Sequence, residues 1–260
     1  MARANRHHIP GQVWHITHRC HKKEFLLKFE KDRRRCHSWL FEAKKRFGLR
    51  VLNYVVTSNH IHLLVVDSGP DVIPNSIQLI AGRTAQEFNL RKDRKGAFWE
   101  DRYHATAIER NEHLIRCLVY IDLNMVRAGV VKHPSEWEAG GFNEIQNPPM
   151  RYGVIDRQGL HEFCGVPANE SFADHHRQWV QDALQNSESK RDNRWTDAIA
   201  VGSGYYVEAI KARLGMKAAS RRIERQQDDV CILREEPVPY KAVFDLENEA
   251  LSLNNCYFWE

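Results

Sequence analysis

The sequence predicts an α+β fold: a ferredoxin-like, four-stranded antiparallel sheet with helices packed on it, followed by a small, mainly helical C-terminal region. Three observations predict it. The apolar pattern runs strand, helix, strand, strand, helix, strand over residues 12–108. Two of those strands are joined by a three-residue polar turn. A change of texture at Asn147-Pro148-Pro149 ends the first unit, which sets the expected domains at 1–145 and 146–260.

Gln12 to Arg19 (QVWHITHR) reads as a strand. After a polar loop, Lys31 to Phe47 forms a helix with Trp39, Leu40 and Phe47 on its packing face and Gly48 as its stop. The strands RVLNYVV (50–56) and HIHLLVV (60–66) flank Thr57-Ser58-Asn59, a hairpin signature. Pro74-Asn75-Ser76 offers a helix start, and Ile77, Ile80, Ala81, Thr84, Ala85 and Phe88 continue at helical spacing to Asn89. Beyond the basic loop 91–96, residues 97–108 read as extended. Asn111 then caps a helix that runs to Ala128 and stops at Gly129. From Trp195 to Arg225 the pattern is that of two short helices ending in a basic run.

Composition bounds the function. A 260-residue chain that is 42% hydrophobic and 28% charged is ordinary globular material. No apolar run approaches the roughly 18 residues of a membrane span, and the first residues lack the apolar stretch of a secretory signal, so the expected location is cytoplasmic. Six scattered cysteines suggest neither a disulfide framework nor a cysteine zinc cage; the pairs Cys20-His21 and Cys36-His37 are set aside as a zinc site. No G-x-x-x-x-G-K-[ST] loop occurs, so no nucleotide cofactor is expected. Net charge is +4, but residues 1–50 hold 14 Lys/Arg against 4 Asp/Glu, whereas residues 231–260 hold 2 against 6. A basic front of this kind favours a nucleic-acid partner.

The chemistry concentrates in two short strings. His60 and His62 are two apart on a strand, so both imidazoles leave the same face while Ile61 leaves the other. On the last helix, Leu114, Leu118, Ile121 and Met125 must face the sheet, and Tyr120 and Asn124, four apart, share the flank with Arg116 and Arg127 nearby. If this helix packs beside the histidine strand, Asn124 supplies an oxygen as a third metal ligand and Tyr120 reaches a bound phosphate.

Ser58-Asn59-His60-Ile61-His62-Leu63-Leu64 resembles the His-hydrophobic-His strand of HUH single-strand endonucleases. The string Tyr120-Ile121-Asp122-Leu123-Asn124-Met125-Val126-Arg127-Ala128-Gly129 resembles the tyrosine helix of REP-associated tyrosine transposases, and the likeness covers residues 5–140. Met125 departs from the pattern, since relatives commonly carry proline there. The resemblance implies the HUH endonuclease fold and a divalent metal, magnesium or manganese, on His60, His62 and Asn124. It further implies attack by Tyr120 to give a 5′-phosphotyrosine and a free 3′-hydroxyl, with rejoining by reversal. Single-stranded DNA hairpins of the repetitive extragenic palindrome type are the implied partners, and a monomer is favoured over a dimer.

Arg33, Arg34, Arg35, Lys44, Lys45, Arg46, Arg102, Arg116 and Arg127 are the expected phosphate contacts, which give salt-sensitive affinity rather than sequence reading. Tyr103 is a further DNA contact and the second choice of nucleophile, and Trp14 and Trp99 are aromatic platforms or core. Two rival classes stand beside this reading. One is a hairpin-binding regulator without cleavage; the other is a zinc hydrolase on His60 and His62 that does not need Tyr120. The acidic end, Asp245 to Glu260, is expected to fold over the basic surface and restrain the protein.

Overall fold

A computed structural model describes residues 9–186, 192–218, 221–226 and 230–235 of the chain. The expected acidic cover over residues 245–260 lies outside the described residues.

The first six elements follow the predicted order. Strand β1 (Val13–Arg19) leads to helix α1 (Glu30–Phe47), hairpin strands β2 (Arg50–Val56) and β3 (His60–Val66), helix α2 (Val72–Lys92) and strand β4 (His104–Ile108). Their sheet order is β2-β3-β1-β4 with every pair antiparallel, the ferredoxin-like arrangement. Gly48 ends α1 at φ 70, the left-handed conformation that glycine adopts without strain, and Lys44, Lys45 and Arg46 in the last turn complement the helix dipole. The extended stretch expected from residue 97 is shorter than predicted: only His104–Ile108 pairs as a strand, preceded by a single bridge from Trp99 to Cys20.

Strands β2 and β3 are buried along almost their whole length, because helices cover both faces of the sheet. On one face His37 of α1 lies 5.3 Å from Tyr54 between ring centroids. On the other, Asn53, the neighbour of Tyr54, donates to the Leu118 carbonyl and to Asp122 of α3 (Glu112–Asp122). Leu114, Leu118 and Ile121 of α3 are fully buried, each stabilising by about 1.5–3 kcal/mol. Asn111 precedes α3 at φ 61 without a side-chain cap bond, so its predicted capping role is corrected. The helix is interrupted at Leu123 and resumes as α4 (Asn124–Arg127), with Gly129 at φ 67 after it.

The remainder packs on this core. Helices α5 (Gly141–Gln146), α6 (Arg157–Cys164) and α7 (Phe172–Gln185) are followed by α8 (Arg194–Asp197), strand β5 (Ala200–Gly202), α9 (Gly204–Leu214) and strands β6 (Arg221–Arg225) and β7 (Cys231–Glu235). Strand β5 pairs parallel to β4 and carries β7 and then β6, so one seven-stranded sheet runs through both halves of the sequence. The basic run at 221–225, expected as a helix end, is instead the edge strand. Its alternation RRIER with Ile223 opposite Leu233 suits a strand, and the charged side chains guard the edge.

Candidate functional site

The site lies on the sheet face covered by α3. Antiparallel register sets His62 opposite Thr17 and His15 opposite Leu64, so alternation aims His15 and His62 out of the same face from neighbouring strands. Their rings stack at 5.0 Å, and His15 Nε2 lies 2.8 Å from His62 Nδ1. His60 meets His62 edge-on at 4.7 Å. Tyr120 stands over the group, its ring centroid 6.3 Å from those of both His62 and His15. Asn124 brings Nδ2 to 3.0 Å from His62 Nε2. The strand and helix strings picked out separately in the sequence thus share one cleft of about 740 Å³, large enough for a nucleotide.

The turn before β3 orients His60. The Thr57 hydroxyl donates to the His60 carbonyl, so its oxygen accepts from His60 Nδ1 at 3.0 Å, and Asn59 Oδ1 accepts from the same nitrogen at 2.7 Å. The proton therefore sits on Nδ1, and the lone pair belongs to Nε2.

Burial governs the electrostatics. It lowers His15 from 6.5 to about 3, against the opposing pull of the Trp195 carbonyl, and it holds His62 well below its ordinary value, helped by the neighbouring His60 and His15. Both imidazoles are neutral at pH 7, the form in which histidine binds metal. Arg127 lies over the Tyr120 ring at 3.9 Å and donates to the Tyr120 carbonyl at 2.6 Å. Burial lowers its pKa, and Tyr120 beside it opposes the shift.

Two ring nitrogens and an amide fit a hard or borderline divalent cation once the Asn124 amide turns its oxygen inward; the two amide atoms are alike in size, so the turn needs no extra room. Among the described residues no three His, Cys, Asp or Glu side chains gather closely enough to hold a metal ion. The set-aside Cys20 and Cys36 are buried free thiols whose pKa values burial raises to about 12.

Of the expected DNA contacts, Arg102 and Arg127 line the cleft, together with Arg19 and Lys23, which the sequence reading passed over. Glu100, Asp101, Asp197 and Glu235 line it too, so its charge is mixed rather than uniformly basic. Arg33, Arg34, Arg35, Lys44, Lys45 and Arg46 belong to α1, which packs on the opposite face of the sheet, away from Tyr120. Most are engaged within the fold: Arg34 pairs with Glu30, Arg35 grips Glu87 through two bonds of 2.7 and 2.6 Å, Arg46 pairs with Glu42, and Lys44 donates to the Gly153 carbonyl. Arg33 donates to the Lys28 carbonyl and lies over Trp137 at 4.4 Å. Arg116 pairs with Glu112 and does not line the cleft, which corrects its expected place beside Tyr120. Tyr103 is 6% exposed, so its ring packs in the core and offers no face to a base. Trp14 is likewise buried, and Trp99 donates to the Ala81 carbonyl while stacking on His18 at 4.3 Å.

The sequence reading missed His15 and Trp195. The alternation His15, Thr17 in QVWHITHR is the only local sign of His15; nothing local points to Trp195.

Fold and site together define a class: a ferredoxin-like sheet presenting paired histidines beneath a helix that bears a tyrosine. Residues 10–124 match the family described as "Transposase IS200 like". Among solved structures, one described as a REP-associated tyrosine transposase bound to a REP hairpin is 22% identical, covers 55% of this chain and 84% of its own, and superposes with a TM-score of 0.47. Another, described as a transposase from Deinococcus radiodurans R1, is 17% identical, covers 46% of this chain and 93% of its own, and has a TM-score of 0.33. No curated protein matches. No helix among the described residues is long and apolar enough to cross a membrane.

Proposed function

We propose that the chain is a metal-dependent single-strand DNA endonuclease and strand transferase, acting at hairpin sites through a 5′-phosphotyrosine on Tyr120. The observation that carries the reading is the position of the Tyr120 ring, 6.3 Å from His62 in the cleft where His62 and Asn124 also meet. The match of residues 10–124 to the IS200-like transposase family supports it, and the hairpin substrate follows from the likeness of the 120–129 string to REP-associated relatives.

In this reading His60, His62 and Asn124 hold magnesium or manganese, which when bound polarises the phosphodiester and offsets its charge. Tyr120 supplies the attacking oxygen: its O–P bond forms as the bond from phosphorus to the 3′-oxygen breaks, and the phenol proton leaves to solvent or a nearby base. Arg127, held beside the phenol by its bond to the Tyr120 carbonyl, offsets negative charge that develops on the attacking oxygen and the phosphate. Arg19, Lys23 and Arg102 line the path of the strand and hold its backbone. The cations of α1 and Arg116 lie outside the cleft and contribute salt-sensitive attraction at most. Attack by the released 3′-hydroxyl reverses the step, so no external energy source is required. We propose a monomer as the working unit and the division 1–145 and 146–260 as its sequence-level organisation.

The test is covalent capture. With a fluorescent hairpin carrying a single-stranded 5′ flank and Mn²⁺, the wild-type chain is expected to give a DNA–protein adduct that survives denaturing electrophoresis, and Tyr120→Phe to give none. Cleavage undiminished in Tyr120→Phe would defeat the proposal and favour a hydrolase. Tight binding with no cleavage by the wild-type chain would favour the regulator.

A further inference from the structure

We infer that His15 is a positioning residue that fixes the proton of His62 on Nδ1, and that the chain beyond residue 145 completes the site by holding His15 through the Trp195 carbonyl. The inference deepens the reading of His62 as a metal ligand and rests on it.

One line of hydrogen bonds runs from the Trp195 carbonyl through His15 to His62 and Asn124, and each proton on it has one place. A peptide carbonyl only accepts, so His15 Nδ1, 2.8 Å from the Trp195 oxygen, must donate. His15 is fully buried and neither of its hydrogen-bond partners is a carboxylate, so a second ring proton would be an uncompensated buried charge. His15 Nε2 is therefore an acceptor, and the contact of 2.8 Å to His62 Nδ1 requires the proton to lie on His62. His62 is left with its lone pair on Nε2. That nitrogen faces Asn124, whose Nδ2 sits 3.0 Å away.

The relay begins in a segment remote from the strands. Thr106 of β4 donates to the carbonyls of both Trp195 and Ala198, which pins α8 against the sheet. The Trp195 ring closes the arrangement from above, 6.1 Å from that of Tyr120. His60 reaches the same tautomer by a different route, through Thr57 and Asn59 of its own turn. The two ligand histidines are thus oriented independently, one locally and one across the fold. Partners of this kind raise the basicity of a ligand and fix its ring, and losing one typically weakens metal binding about 10–100-fold.

The experiment uses the metal-free, ¹⁵N-labelled full chain. Long-range ¹H–¹⁵N correlations of the imidazoles are expected to place the His62 proton on Nδ1 in the wild type. In His15→Leu the proton should move to Nε2 and Mn²⁺ affinity, read by calorimetry, should fall about 10–100-fold. His15→Gln, whose amide oxygen reaches the place of Nε2, should recover most of that loss. A wild-type His62 protonated on Nε2 overturns the inference without any variant. So does a folded His15→Leu with unchanged tautomer and Mn²⁺ affinity. The covalent-capture result on the wild-type chain is separate, so loss of this inference leaves the proposed reaction standing, and failure of capture leaves the tautomer measurement valid.

Discussion

Removing the Asp122 carboxylate should unlatch the tyrosine helix from the rest of the fold. The Asp122 and His176 side chains are 1% and 0% exposed and meet at 2.7 Å. Gln146 fixes the direction of this bond. Its oxygen accepts from Arg177 and its nitrogen donates to the Ala173 carbonyl, so that nitrogen also donates to His176 Nδ1, which leaves His176 Nε2–H to donate to Asp122. The other carboxylate oxygen accepts from Asn53 Nδ2 at 3.0 Å. Asp122→Ala therefore strips the acceptor from two buried donors on two elements, β2 and α7, at about 1–3 kcal/mol each. Loss of the buried charge recovers part of that, giving an expected destabilisation of about 3 kcal/mol. For a chain of this size the melting temperature should fall by roughly 6–12 °C. Urea titration and thermal melts of the wild type, Asp122→Ala, His176→Leu and the double variant would measure the effect and its coupling. A loss below about 1 kcal/mol in Asp122→Ala, or additive effects in the double variant, would refute the assignment of this cluster as the strut between α3 and α7.

Two further outcomes are expected. His18 is held near pKa 4 from 6.5, chiefly by burial, so the folded chain resists a proton that the unfolded chain takes up below pH 6.5; its own contribution to stability is level above that pH and falls by about 2 kcal/mol by pH 5, on top of the losses from the buried His15 and His62. Urea midpoints at several pH values should show the fall in the wild type and a shallower one in His18→Gln, and equal slopes would contradict it. At Gly141 an added Cβ would stand 2.2 Å from Asn53 Oδ1 and 3.2 Å from the Tyr54 amide nitrogen, both in the buried sheet, so Gly141→Ala should cost about 1–3 kcal/mol, with an unchanged melting temperature counting against the packing described.

Much of the candidate site was legible because its parts are short-range. The facing of His60 with His62 follows from strand alternation over two residues, and the shared flank of Tyr120 and Asn124 from four residues of helical turn. The βαββαβ order followed from apolar periodicity, and the observed sheet order β2-β3-β1-β4 agrees with it. The basic run of α1 misled for the same local reason: charge clustering shows that a face is cationic, not which side of the sheet the helix takes. Composition likewise overstated the cleft, where acidic residues from distant segments stand among the cations.

What the sequence alone determined were relations between residues a few positions apart, because backbone geometry fixes them whatever the rest of the chain does. Only the tertiary structure could decide that His15 leans on His62 and is held by a carbonyl 180 residues away, or that β5, β6 and β7 extend the sheet of the first half. A backbone carbonyl leaves no mark on the identity of its side chain, and an edge strand finds its neighbour by register and burial. Both are settled by packing, where sequence distance no longer limits which groups meet.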